Sequence, residues 1–179
     1  MKLKKIPFLI IIFLLCSSSF AQNKSATLDG KNLYDELIKT KIFAINQNKT
    51  IQIEDYKSSV IVVLFLASWC SPCVSQAEAL RNIQTDFQEQ NVRIIGLDAD
   101  YQDKKDFKIY LKTNKFNYPM GTVNKKITLS LLKFTKIDAL PQTIIIDNGE
   151  IKDFFVGGGK STQKIKSSIE NILKSRSQN

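Results

Sequence analysis

Val60-Ile61-Val62-Val63-Leu64-Phe65-Leu66-Ala67-Ser68-Trp69-Cys70-Ser71-Pro72-Cys73 is the stretch that decides the fold. Its first seven residues are apolar without interruption and rich in β-branched side chains, as in a strand buried on both faces. Beyond the cysteines a helical pattern runs to about Gln90, with Ala77, Leu80, Ile83 and Phe87 on one face. Pro72 falls in the first turn of that helix, where a missing N–H costs nothing. Two cysteines thus sit at a strand-to-helix junction.

That placement carries chemistry. Unpaired amides and the dipole at a helix start favour an anion, and a CxxC thiol there has its pKa lowered from about 8.5 into the range of about 3.5–7.5. Cys70 is the expected attacking thiolate. Cys73, one turn along and more buried, is the expected resolving thiol, closing a redox-active disulfide with it. Other uses of the pair are weaker. Zinc needs four ligands, and apart from Cys16 the chain has these two cysteines and no histidine. Haem attachment needs a histidine where Val74 stands. As an inert staple, the pair closes a loop too small to restrict the unfolded chain much. No metal or other cofactor is expected.

Outward from the junction, Val92–Leu97 reads as a second buried strand ending at Asp98-Ala99-Asp100. Lys104–Asn114 and Thr128–Phe134 show helical spacing, and Phe107, Tyr110 and Met120 are expected in the core. Thr143–Asp147 and Glu150–Val156 flank Asn148-Gly149, a strong hairpin signal because both residues tolerate positive φ. Gly157-Gly158-Gly159 breaks the chain before a helix carrying Ile165, Ile169 and Ile172. Upstream, Asn32–Thr40 has helical spacing, and Ile42–Ile45 and Thr50–Ile53 form a plausible hairpin around Asn46–Lys49. Strand–helix–strand units call for parallel crossovers and the closing hairpin adds antiparallel strands. The expected fold class is α/β, a central mixed sheet with helices on both faces.

The N-terminus reads as an address. Lys2, Lys4 and Lys5 precede an apolar run from Ile6 to about Cys16, and Ser19-Phe20-Ala21 offers small residues for cleavage, the layout of a secretory signal over residues 1–21. The run is shorter than the roughly 20 residues of a membrane span, so a retained anchor is the second reading; bulky Leu14-Leu15 argue against lipidation at Cys16. The expected organisation is a signal over 1–21, an extension with a short helix over 22–41, one domain over 42–174 and a polar tail over 175–179. The expected location is exported, periplasmic or otherwise extracytoplasmic. With 43% hydrophobic and 24% charged residues the chain is globular. The net charge of +9 is spread along the chain as lysine, and Arg81, Arg93 and Arg176 are the only arginines. That argues against nucleic acid, whose sites favour clustered arginine with aromatic stacking.

Phe65–Cys73 resembles the active-site segment of the thioredoxin superfamily, most nearly the extracytoplasmic TlpA/ResA-type thiol–disulfide oxidoreductases. Asp138-Ala139-Leu140-Pro141-Gln142-Thr143-Ile144-Ile145-Ile146-Asp147 is similar to the proline loop and following strand of that group. Asp103–Phe134, with Asn117-Tyr118-Pro119, is similar to its extra strand–helix region. The resemblance implies a thioredoxin-like fold and a cis Leu140–Pro141 bond beside the sulfurs, presenting backbone at residue 140 to an incoming substrate strand. By its position Trp69 either packs in the core or lines the docking groove; Ser71 and Pro72 complete the active-site loop. The resemblance further implies protein thiol or disulfide substrates and reduction driven by a membrane electron donor, with apocytochrome c maturation as one pathway. An oxidase or isomerase is the alternative direction. A copper-binding maturation factor on the same fold is disfavoured by the missing histidine, and a thiol peroxidase by the CxxC pair itself.

Two departures matter. Many relatives carry Glu three residues after the second cysteine, where this chain has Gln76. Minimal thioredoxins bury an acid six residues before the first, where it has Leu64. Gln76 can hydrogen-bond but cannot take a proton, and Glu78 reads as a solvated helix residue. The expectation is that exchange depends weakly on any single carboxylate.

Overall fold

The computed structural model describes residues 28–100 and 104–178. The signal-like segment 1–21, with Cys16, lies outside the described residues. A helix, α1, covers residues 28–39. It is followed by β1 (Lys41–Ala44), β2 (Lys49–Gln52), β3 (Val60–Leu66), α2 (Ser71–Phe87) and β4 (Val92–Asp98). Then come α3 (Lys104–Thr113), β5 (Met120–Thr122), α4 (Lys125–Thr135), β6 (Gln142–Asp147), β7 (Glu150–Val156) and α5 (Lys160–Arg176).

Five strands make one mixed sheet in the order β5-β4-β3-β6-β7. β3 is parallel to β4 and β4 to β5, while β6 runs antiparallel to both β3 and β7. The apolar run takes the central strand because it is apolar at every position: all seven residues of β3 are buried. Val60, Val62, Leu64 and Leu66 join a core with side chains of α2, α3 and α5. Ile61, Val63 and Phe65 join a second core with α1 and α4 on the opposite face. Each such side chain contributes roughly 1.5–3 kcal/mol on burial, so β3 anchors the junction that follows it. The arrangement is the expected mixed sheet covered on both faces, and Phe107, Tyr110 and Met120 lie in the core.

The Asn148-Gly149 turn has φ of 50° and 79°, and the β6–β7 hairpin closes on it. The upstream hairpin stands apart as a two-stranded ribbon of β1 and β2. It is tied to the sheet edge through Asn46, whose Nδ2 donates to the Tyr118 carbonyl at 2.8 Å and whose Oδ1 accepts from the Met120 amide at 2.9 Å.

Periodicity gave no strand around Met120, and three residues are too few to show alternation. β5 forms there because its partner β4 offers an open parallel edge at Gly96–Asp98. At the other end, α5 continues to Arg176, two residues past the expected end of the domain at Lys174. The Arg176 guanidinium pairs with the buried Asp147 and donates to the Ser58 carbonyl at 3.0 Å, which holds the last turn against the sheet.

Candidate active site

β3 ends at Leu66, and four residues later Cys70 stands at the N-cap of α2 with an extended backbone (φ −86°, ψ 101°). Its carbonyl accepts from the amides of Cys73 at 2.9 Å and Val74 at 3.2 Å, and its own amide donates to Ala67 at 3.1 Å. Pro72 occupies the first turn, and no side-chain cap closes the helix start. The sulfur of Cys70 therefore meets the positive end of the helix dipole without a competing side-chain acceptor.

Cys70 and Cys73 form a disulfide with Cα atoms 5.2 Å apart. Cys70 is 7% exposed and Cys73 is fully buried. An attacking reagent can reach the first sulfur, while the second is held within the core beside Ala77 and Leu80. Ser71 and Pro72 are exposed around the pair.

The loop from Ile137 to Pro141 comes up beside the sulfurs. The Leu140 carbonyl lies 3.7 Å from Cys70 Sγ, and the Leu140–Pro141 peptide bond is cis. Gln142, directly opposite Phe65 in the sheet, pins this loop: its Nε2 donates to Ile137 at 2.7 Å and Ala139 at 2.8 Å. Behind it, the Gly157 amide donates to the Pro141 carbonyl at 2.9 Å. Gly158 then approaches Pro72 so closely that a Cβ there would lie 2.8 Å from the Pro72 carbonyl oxygen. Of the three glycines that break the chain, this one permits the close passage of backbone under the active-site loop.

Trp69 is 72% exposed, which settles its placement against core packing, and its Nε1 donates to Asp100 Oδ2 at 2.5 Å. The ring borders a groove of about 400 Å³ shared with Leu129, Leu132, Ile137 and Leu140. A larger cavity, about 740 Å³, is lined by Tyr34, Phe134 and the Asn148-Gly149 turn. The antiparallel register of β3 and β6 places that turn at the far end of the sheet from the cysteines, so it takes no part in their chemistry.

Sequence reasoning missed one polar feature. Gln76 is fully buried on α2, and neither its Nε2 nor its Oε1 has a hydrogen-bond partner. On the neighbouring strand Asp98 is 1% exposed, and its Oδ1 accepts from the Asp100 amide at 3.1 Å. Burial pushes the Asp98 carboxyl up to about 7, with the nearby Asp100 charge adding to the rise and the backbone hydrogen bond opposing it. Glu78, by contrast, is exposed. The signal available in the sequence was an acid at the end of a strand otherwise buried on both faces. Among the described residues no group of three or more potential ligands could hold a metal, and no helix is long and apolar enough to cross a membrane.

A disulfide at a strand–helix junction, beside a proline loop and on a mixed sheet of this order, defines the class of thioredoxin-like redox proteins. Within that class the chain belongs to the AhpC/TSA family, which matches residues 37–154. It is 28% identical over 120 residues to a thiol-disulfide oxidoreductase ResA of Bacillus thuringiensis subsp. konkukian (strain 97-27). That match covers 67% of this chain, and the chain spans only 62% of the relative's length. Another ResA, from Bacillus anthracis, is 23% identical over 97% of this chain and 98% of its own. Among solved structures, a putative thiol:disulfide interchange protein DsbE from Chlorobium tepidum has the same fold, with a TM-score of 0.65 and 16% identity. It matches 75% of this chain and 92% of its own.

Proposed function

We propose that this protein is a thiol–disulfide oxidoreductase that exchanges electrons with protein clients through Cys70 and Cys73, running toward client reduction in an extracytoplasmic compartment. The observation that carries the exchange reading is the asymmetry of the pair: one sulfur reachable at a helix start, the other fully buried one turn on. In the reduced protein the Cys70 thiolate attacks a client disulfide, forming a mixed disulfide and releasing one client thiolate. Cys73 then attacks Cys70 Sγ, the internal disulfide forms, and the second client thiolate leaves. The protein loses two electrons and the client gains them.

Leu140 and Pro141 are the proposed positioning residues, since an extended client segment can pair with backbone that lies 3.7 Å from the sulfur. Trp69 walls the groove on the other side. The reductive direction rests on the resemblance to ResA-type proteins, and export on the N-terminal sequence. Continued reduction in an oxidising compartment needs a membrane electron donor, and an uncleaved N-terminus would tether the protein near it.

Two measurements test the reading. Cys73→Ser should trap client on Cys70 as a stable mixed disulfide, and Cys70→Ser should trap none; equal trapping by both variants would remove the role assignment. The midpoint potential of the couple tests direction. A value near or below about −230 mV fits a reductase, whereas about −120 to −180 mV would make the protein an oxidant or isomerase.

A further inference from the structure

We propose that Asp98 is the internal proton acceptor for Cys73, taking up the thiol proton from the buried layer between α2 and β4 as the mixed disulfide resolves. The proposal rests on the exchange reading above and assigns it a residue outside the cysteine motif and its helix.

Placement carries the argument. Along β4, Val92 and Ile94 belong to the core that contains Cys73, Ala77 and Leu80, whereas Ile95, Leu97 and Ala99 belong to the opposite one. Strand alternation therefore puts Asp98 on the α2 face. Its partner in the parallel register is Leu66, which lies in the same core as both cysteines. The Ala99 amide donates to the Leu66 carbonyl at 2.8 Å, which fixes this end of β4 beside the chain that leads into the motif. Within the layer, Gln76 supplies a donor and an acceptor that no described group takes up. It can orient a proton path but cannot accept the proton.

Cys73 needs such an acceptor. It is fully buried, so solvent is a poor route for its proton, and the thiolate is the form that attacks. The titratable groups around this face are Cys70 and Cys73, Tyr110 from α3 and Tyr118 ahead of β5, Asp100 just beyond the end of β4, and Glu78 and Arg81 of α2, whose charges reach the tyrosines. Burial raises both tyrosines, so they stay protonated. An acid whose carboxyl is itself raised toward the thiol range makes a closer match to Cys73 than a solvated carboxylate would.

The step balances. The proton of Cys73 passes to the Asp98 carboxylate, the Cys73 thiolate forms its bond to Cys70 Sγ, and the bond between Cys70 and the client sulfur breaks. The client leaves as a thiolate, and the Asp98 proton returns to it or to solvent. Two protein sulfurs are oxidised and the client disulfide is reduced.

The test uses the full chain, reduced, with oxidised glutathione as the probe and acid-quenched mass analysis following the mixed disulfide. Asp98→Asn should form the mixed disulfide at the wild-type rate. It should resolve at least about 10-fold more slowly at about pH 7 to 7.5, with the gap narrowing below about pH 7, where Asp98 already holds a proton, and closing at alkaline pH, where hydroxide takes the proton. Resolution by folded Asp98→Asn at the wild-type rate and with the wild-type pH profile overturns the proposal while leaving the exchange reading intact. Absence of a trapped adduct in Cys73→Ser would overturn the exchange reading and this one with it. Wild type supplies an independent readout: its resolution rate should rise with pH to about 7, as Asp98 loses its proton, and then level off. A wild-type rate that climbs through this range without levelling off also overturns the proposal.

Discussion

Replacing Asp98 by Asn should make the protein more stable at neutral and alkaline pH, by an amount that grows as pH rises. The folded carboxyl is raised from 3.8 to about 7, chiefly by desolvation. The folded state thus keeps a proton that the unfolded chain releases near pH 4, and between those values it binds more protons than the unfolded state. Stability then falls with pH across this window, by ~1.4 kcal/mol per unit at most. The penalty is absent below about pH 4 and complete above about pH 7, reaching a ceiling of ~4 kcal/mol. Asparagine keeps the size of the side chain and an oxygen to accept from the Asp100 amide, but cannot ionise. Urea denaturation of the disulfide form at intervals from pH 4 to 8 would measure it. The difference between variant and wild type should be small and constant near pH 4, then climb by a few kcal/mol in favour of the variant. A difference that stays flat across the window would show that Asp98 does not titrate there, and would refute the reasoning from burial.

Two further outcomes follow from the packing around the motif. Gly158→Ala sets a Cβ against the Pro72 carbonyl oxygen, a backbone atom that cannot rotate away; we expect a loss of ~1–3 kcal/mol by thermal melting and slower mixed-disulfide formation at Cys70. Arg176→Ala leaves the buried Asp147 without its partner, with an expected loss of ~1–3 kcal/mol and no change in the midpoint potential, since the pair lies at the far end of the sheet.

Much of this architecture was legible because it rests on strong local signals. A seven-residue β-branched run without alternation has the look of a doubly buried strand, and Asn148-Gly149 between two strand-like runs is a strong hairpin signal. Helix faces such as Ala77, Leu80, Ile83 and Phe87 are all buried, as their spacing required. What escaped was set by partners distant in sequence. β5 is three residues that become a strand only because β4 lies beside them. The residues after Lys174 read as a polar tail, yet α5 runs to Arg176, which finds an acid 29 positions away.

The acid beside the motif was hidden for a related reason. The resemblance points to a carboxylate at the positions of Leu64 and Gln76, which are on the central strand and on the helix of the motif itself. Both are occupied by groups that hold no proton. Asp98 sits on a third element, and its relation to the cysteines exists only through the parallel register that sets it opposite Leu66. In sequence it is one of two acids at the end of a strand, and the other, Asp100, holds Trp69. The two aspartates are separated by one residue and by the end of the strand, which falls at Asp98. One is left at the rim of the docking groove and the other is carried under the motif, where desolvation gives an ordinary carboxyl the range of an acid–base group.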